Sequence, residues 1–481
     1  MGLAKDFIHR LKRVMGIDPI KHVIVLMFEN HSFDQMLGCF KEIYPKLEGV
    51  DPNNPGSNKD STDQVYPQRK CSDPVVSPDP RHELDHVLNQ LKDHNAGFVS
   101  EYEKEYPDTT HDERQRIMDY FRMDDLPALH ELAKHFTICD YWYSSVPGPT
   151  WANRFFVHSG TSKGLVAMPV SNLGALVCMR YNQDTIYDRL TKRKINWRVY
   201  FHDIPQSMVL THQRWPKMAW NYSLMDTFFG DVQGPESAFP AYSFIEPAYL
   251  KGAQNDDHPP HSTMRAQRLL GQVYNAIRKN DALWNSTLLV VLYDEHGGFY
   301  DHIEPPSAVP PDIDHEEYTF DRLGVRVPAL LISPWVDQKV VSTRFDHTSL
   351  LKYLIDKWSL EPLTERVREA TSIAGAILPS PRPSSDMPKS VPVPPLTIKL
   401  TAAQLPIGAA SDVTARELAE PNNDLQQSLI AFTDYLAQNE MPGEALSRTM
   451  AVGPLAKEQL AKERVERFLT QQKAKAIAGG R

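Results

Sequence analysis

His22-Val23-Ile24-Val25-Leu26-Met27-Phe28, closed by Glu29-Asn30, is the stretch that sets the fold class. Its counterpart is Leu288-Leu289-Val290-Val291-Leu292-Tyr293, closed by Asp294-Glu295-His296-Gly297-Gly298. Runs this short and this rich in Val, Ile and Leu predict strands buried on both faces of a parallel sheet. Ligands of open α/β sheets collect at the carboxyl ends of such strands. Glu29, Asn30, Asp294 and Glu295 gathered there are costly to bury unless a cation neutralises them. The two distant segments together predict a divalent-metal site.

Further strand patterns stand at Asn196–Tyr200, Thr287–Tyr293 and Val327–Ser333. Helical patterns lie around Leu84–Leu91 and Ala128–His135, and His347 to Trp358 spaces Leu350, Leu351, Leu354, Ile355 and Trp358 along an amphipathic helix. This alternation predicts an α/β fold, a mostly parallel central sheet between helical layers. Asp51 to Pro80 is crowded with Pro, Asn, Ser and Asp and reads as a long loop. Residues 19–377 form the main α/β domain in this reading. A Pro-rich stretch, 378–398, reads as a stiff extended linker. Residues 399–481 read as a helical C-terminal appendage, with Leu425, Leu429, Phe432 and Leu436 on one face and Leu460, Val465, Phe468 and Leu469 on another. That tail carries no chemistry legible in its sequence.

The 481 residues are 41% apolar and 10% aromatic, enough for a sizeable core. A formal charge of −9 gives no general attraction to nucleic acid. Cys39, Cys71, Cys139 and Cys178 are scattered and read most simply as free thiols, with one or two disulfides allowed. No apolar run is long enough to span a membrane. Residues 1–18 place Leu3, Phe7, Ile8, Leu11, Val14 and Met15 along one helical face, with basic residues mostly elsewhere. Such a helix suits either packing on the domain or peripheral contact with an anionic membrane surface. The segment shows no continuous apolar core or small-residue cleavage site of a standard secretory signal. A cytoplasmic location and export by a specialised route both fit, with export without a cleaved signal preferred.

Ser144-Ser145-Val146-Pro147-Gly148-Pro149-Thr150-Trp151-Ala152-Asn153-Arg154-Phe155-Phe156 is the third informative segment. Gly and Pro make a sharp turn, and Thr150 stands where a helix begins. The hydroxyl there is either an ordinary helix cap or, beside a metal that lowers its pKa, a nucleophile. Asn153 and Arg154 reach either a phosphate or a structural anchor from the next helical turn.

Phe28-Glu29-Asn30-His31-Ser32-Phe33-Asp34, Pro147-Gly148-Pro149-Thr150, Asp294-Glu295-His296-Gly297-Gly298-Phe299-Tyr300-Asp301-His302 and Asp346-His347-Thr348-Ser349 occur in this order. Over roughly Lys21 to Trp358 the chain resembles the phosphoesterase family of bacterial phospholipases C and AcpA-type acid phosphatases, within the alkaline phosphatase superfamily. The resemblance implies a three-layer α/β/α fold of alkaline phosphatase type. It implies Glu29, Asn30, Asp294 and Glu295 as metal ligands and Thr150 as nucleophile. It implies His82, His202 and His258 as histidines lining the phosphate pocket, His202 on the loosest alignment. His31, His296, His302 and His347 lie within the motifs and suit a supporting role. Trp151-Ala152 departs from the family's more usual polar or small residue followed by proline.

An all-oxygen ligand set favours Mg, Mn or Ca, whereas the superfamily resemblance implies zinc; one required divalent ion is expected, zinc first. The expected reaction is phospholipase C-type cleavage of phosphatidylcholine-like lipids through a phospho-threonine-type intermediate. The alternative is a broad-specificity acid phosphatase acting on phosphomonoesters. Trp142, Tyr143, Trp151, Phe155 and Phe156, with Trp220, Tyr222, Phe228 and Phe229, form either a lipid-facing rim or core. A catalytically silent binding module is the reading from another class, and the intact Glu29, Asn30, Thr150, Asp294 and Glu295 argue against it.

Overall fold

Strand β1 (His22–Phe28) runs through the middle of the sheet that the first run of sequence predicts. The other strands are β2 (Thr137–Ile138), β3 (Trp197–Phe201), β4 (Tyr222–Leu224), β5 (Tyr242–Glu246), β6 (Thr287–Tyr293) and β7 (Ala329–Ile332), in spatial order β2-β7-β6-β1-β5-β3-β4. The computed structural model describes residues 18–71, 74, 76–169, 181–312, 318–395, 422–441 and 454–479. The amphipathic segment 1–17, Cys178 and the junction 396–421 lie outside the described residues.

Strands β4, β3, β5, β1 and β6 are parallel, whereas β7 and β2 are antiparallel to their neighbours. The sheet is thus mostly parallel, and the Val327–Ser333 run supplies an antiparallel strand. β1 and β6 pair along their whole length, Phe28 against Tyr293, so Glu29 and Asp294 leave the carboxyl edge side by side. On the other flank Leu26 pairs with Ile245, and Glu246 ends β5 beside them.

Both central strands are buried at every position, as strands covered on two faces are. The covering helices include α1 (Phe33–Leu37), α2 (Pro127–His135), α3 (Thr150–Ser159), α4 (Thr263–Lys279) and α5 (His347–Trp358). α3 packs on α5, and α2 packs on α4. The architecture is three-layered α/β/α.

Two expectations change. The polar segment 51–80 contains short strands, Ser57–Lys59 antiparallel to Val65–Pro67, and Arg69–Cys71 parallel to Asp119–Phe121. Only Asn58 and Tyr66 of the first pair face inward, a pattern too short to stand out in sequence. The 378–395 stretch, which includes a 3-10 turn at Ser384–Asp386, is strapped to α4 rather than free. Tyr274 donates to the Pro388 carbonyl at 2.6 Å, Asn275 to Val391 at 3.0 Å and Arg268 to Pro394 at 2.8 Å. A Cβ on Gly271 would stand 2.4 Å from the Pro392 carbonyl oxygen, so only glycine admits this approach.

The C-terminal helices are α6 (Asp424–Tyr435) and α7 (Pro454–Ala478). The Leu425, Leu429, Phe432 and Leu436 face, with Val465, Phe468 and Leu469, joins the hydrophobic core of the sheet domain. Asn423 caps α6 through a reciprocal bond with Gln426, whose side chain also donates to the Tyr249 carbonyl at 2.9 Å. Cys39, Cys71 and Cys139 are free thiols. Among the described residues no helix is long and apolar enough to cross a membrane.

Behind the carboxyl edge, buried Arg326 donates to Asp34 and Asp301, each at 2.9 Å, and to the Glu48 and Asp140 carbonyls. His302 closes this network through Asp34 at 2.7 Å. Burial lowers the His302 pKa, but the Asp34 carboxylate outweighs it and raises the value from 6.5 to about 9. A raised folded-state pKa gives stability that is full below the unfolded value and lost as pH rises through the folded one. The wild type is therefore expected to lose on the order of 2 kcal/mol more than a His302→Gln variant between pH 6.5 and 9. Urea unfolding of both proteins at the two pH values measures this, and parallel losses would refute the coupling.

Candidate functional site

The Pro147-Gly148-Pro149 turn ends with Pro149 as the N-cap of α3, so Thr150 is the first helical residue and not the cap. Asn153 fixes the turn. Its Nδ2 donates to the Gly148 carbonyl at 2.8 Å and its Oδ1 accepts from Val146 N–H at 3.1 Å. The anchoring reading therefore holds for Asn153. Pro149 has no side-chain group to cap α3, and of the first-turn N–H groups that of Trp151 donates to Met168 Sδ at 3.5 Å. Thr150 Oγ1 donates to Glu29 Oε2 at 3.1 Å and lies 3.5 Å from Asn30 Oδ1.

Asn30 takes a left-handed backbone with φ 57°, which asparagine tolerates. Its N–H donates to Asp294 Oδ1 at 3.2 Å, joining the two strand-end segments. Gly297 permits that approach, since a Cβ there would meet the Asn30 carbonyl oxygen at 2.3 Å. Glu295 Oε2 accepts from Gly297 N–H at 2.7 Å and lies 3.3 Å from His296 Nδ1. Glu29, Asn30, Thr150, Asp294 and Glu295 are thus brought together, all fully buried.

Arg154, one turn beyond Thr150 on α3, enters the same cluster. Its Nη2 lies 2.5 Å from Glu29 Oε1, its Nε 3.4 Å from Asp294 Oδ2 and its Nη1 3.7 Å from Glu246 Oε2. It is a counter-ion to the carboxylates, the structural alternative of the two readings. Gln206 Nε2 adds a 3.0 Å bond to Glu29 Oε1. Even so, burial and then the neighbouring Glu29 push the Asp294 pKa well above its ordinary value. Asp294 Oδ2 and Glu295 Oε1 are buried without a hydrogen-bond partner among the described residues. Unspent carboxylate oxygens in a cluster too acidic for its one arginine fit a bound divalent cation.

His82 and His258 adjoin this cluster, their ring centroids 6.1 Å apart. His82 Nε2 lies 3.4 Å from Asn30 Nδ2 and 3.8 Å from both Glu295 Oε1 and Asp424 Oδ2. Burial lowers its pKa, but Glu295, Asp424 and Asp79 raise it well above 6.5 on balance. His258 Nε2 lies 3.9 Å from Asp79 Oδ2. His202 departs from expectation. Its Nδ1 pairs with the Glu246 carbonyl at 3.1 Å and its Nε2 lies 3.5 Å from Asn255, with no contact to the cluster among the described residues. The loose match around it aligned the strand end but not the side chain.

Asp424, Glu246 and Gln206 were not singled out by sequence. The one signal for Asp424 was an Asn-Asp-Leu-Gln helix start in a tail otherwise devoid of chemistry. His31, His296 and His347 brace loops, bonding the Asp257 carbonyl, Gln90 and the Asp294 carbonyl. Trp142, Tyr143, Trp151, Phe155, Phe156, Tyr222 and Phe228 are buried core, because sheet and helices close over them, whereas Trp220 and Phe229 are half-buried.

A family profile described as Phosphoesterase family matches residues 20–361. Non-specific phospholipase C3 of Arabidopsis thaliana is 32% identical over 86% of this chain and 81% of its own length. Non-hemolytic phospholipase C of Pseudomonas aeruginosa is 26% identical over 78% of this chain and 60% of its own. A solved Vibrio parahaemolyticus protein of the alkaline phosphatase superfamily aligns at TM-score 0.32 and 11% identity, over 50% of this chain and 62% of that one; a score that low carries no argument. With the profile spanning β1 through α5 and the acidic strand ends between them, the chain belongs to the phosphoesterase family, whose members hydrolyse phosphoric esters.

Proposed function

We propose that the chain is a metal-dependent phospholipase C that cleaves phosphatidylcholine-like lipids to diacylglycerol and a phosphorylated head group. The carrying observation is the Thr150 hydroxyl at the start of α3, bonded to Glu29 beside Asn30, Asp294 and Glu295. The relatives named non-specific and non-hemolytic phospholipase C support phospholipids as the substrate class.

Glu29, Asn30, Asp294 and Glu295 would hold the ion, which would supply charge neutralisation at the phosphoryl group and ease loss of the Thr150 hydroxyl proton. Thr150 Oγ1 attacks phosphorus, forming a P–O bond as the bond to glycerol breaks. Glu29 Oε2 accepts the hydroxyl proton's hydrogen bond at the outset. The positive, uncapped start of α3 suits the phosphoryl oxygens. The departing glycerol oxygen needs a proton or a cation, and the His82, His258 and Asp424 group bordering Asn30 is suited to provide either. Water then hydrolyses the threonine ester, releasing the head group and restoring the hydroxyl.

The test is metal-stripped protein with Zn, Mn, Mg or Ca added back singly. Turnover is followed on p-nitrophenylphosphorylcholine and on p-nitrophenyl phosphate. Diester cleavage restored by an ion is the expected result. Monoester cleavage alone would replace this reading with the acid phosphatase, and no turnover with any ion would sink both.

A further inference from the structure

We infer that Asp424, supplied by the C-terminal tail, is a positioning residue of the active site that holds the His82 imidazole toward the departing oxygen. Asp424 lies outside the span 20–361 that the family profile matches, and its role rests on the phosphoester-cleaving reading proposed above. An acidic residue in the first turn of a helix ordinarily faces solvent and answers the helix dipole. Asp424 is placed otherwise. Its side chain is only 10% exposed, and its Oδ1 accepts from Leu425 N–H at 2.7 Å, which fixes the carboxylate. Oδ2 is left facing His82 Nε2 at 3.8 Å.

The start of α6 is itself pinned to the sheet domain. Gln426 Nε2 donates to the Tyr249 carbonyl at 2.9 Å, and Leu425, Leu429 and Phe432 are buried in the domain's hydrophobic core. Further along, Arg214 Nε donates to Glu440 Oε1 at 2.8 Å while its guanidinium lies 5.8 Å from the centre of the Phe432 ring. Docking of the tail therefore delivers one carboxylate to a fixed point beside the histidine.

At its other nitrogen the His82 ring is held by the Pro80 carbonyl, 2.8 Å from Nδ1. Nε2 also lies 3.8 Å from Glu295 Oε1, which belongs to the acidic cluster at the strand ends. With Glu295 as its only carboxylate, Nε2 would be drawn into that cluster; Asp424 supplies a matching attraction from the tail. Asn30 shows where this matters. Its Oδ1 lies 3.5 Å from Thr150 Oγ1 and its Nδ2 3.4 Å from His82 Nε2, so nucleophile and histidine flank one amide. An in-line displacement expels the leaving oxygen on the side away from the nucleophile. The bond from phosphorus to the glycerol oxygen breaks as the Nε2 hydrogen passes to that oxygen. The water that later attacks the threonine ester returns a proton to Nε2.

A leaving group that needs no proton separates this role from a structural one, since p-nitrophenolate departs unaided and a glycerol alkoxide does not. Full-length wild type, Asp424→Asn and Asp424→Glu are assayed on phosphatidylcholine in detergent micelles and on p-nitrophenylphosphorylcholine. Asp424→Asn is expected to lower kcat on the lipid at least about 10-fold with KM unchanged, while the nitrophenyl ester stays within about twofold of wild type. Asp424→Glu, which keeps the charge but displaces it by one methylene, should show the same selective loss in weaker form. Thermal unfolding and elemental analysis of bound metal accompany the assays. Unchanged lipid turnover, equal losses on both esters, or loss of metal on Asp424→Asn would overturn the positioning role. Wild type that cleaves only monoesters would end the phospholipase reading and not this one. The same comparison then runs on glycerol phosphate against p-nitrophenyl phosphate.

Discussion

Thr150→Ala is expected to lower phosphodiester turnover by at least about 10³-fold while the protein still folds and binds metal. The side chain lost is small, and it vacates only Oε2 of Glu29, whose Oε1 Arg154 and Gln206 continue to bond. The cost in stability is on the order of 1 kcal/mol, the net worth of an ordinary hydrogen bond. Turnover is another matter, because no other hydroxyl touches both Glu29 and Asn30 among the described residues. Thr150→Ser should keep most of the rate, since it retains the oxygen and removes only a methyl. Mass spectrometry of a quenched reaction gives the sharper readout. Wild type should carry an added phosphorylated head group that the alanine variant lacks. Unchanged turnover in the alanine variant would assign the attack to water and end the covalent reading.

The parts of this site legible in sequence are those in which one short run fixes both the structure and the chemistry. β1 and β6 are continuous β-branched and apolar runs, and Glu29-Asn30 and Asp294-Glu295 follow at once, so strand and candidate site are read together. β5 escaped because Tyr242-Ser243-Phe244-Ile245-Glu246 is short and carries polar residues, and Glu246 went unseen with it. The direction of β7 escaped because an apolar run has the same composition whichever way it points. Asp424 was invisible for a different reason. A carboxylate at a helix start has a local explanation in the helix dipole, and only the folded chain sets it 3.8 Å from a histidine of the N-terminal half. His202 shows the converse error: it follows β3 as a site residue would, yet its ring turns to Glu246 and Asn255.

Arg154→Met should destabilise the metal-free protein by about 3–5 kcal/mol, the usual result of removing one partner from a buried ion cluster. The arginine side chain is 1% exposed and serves Glu29, Asp294 and Glu246, all fully buried. Methionine fills much of the space but leaves the negative charge without a counter-ion. The carboxylates respond by taking up protons, as Asp294 already tends to when buried beside Glu29. Folded-state carboxyl pKa values above the unfolded ones mean that the native protein binds more protons, so stability falls as pH rises. The variant's deficit should therefore narrow toward mildly acidic pH. A divalent ion should also narrow it, because the ion supplies the charge that the arginine gave and binds only the folded chain. Thermal unfolding with and without zinc, at acidic and neutral pH, tests both responses. A deficit that neither acid nor zinc reduces would point instead to lost packing, where the Arg154 guanidinium lies 5.5 Å from the centre of the Tyr249 ring.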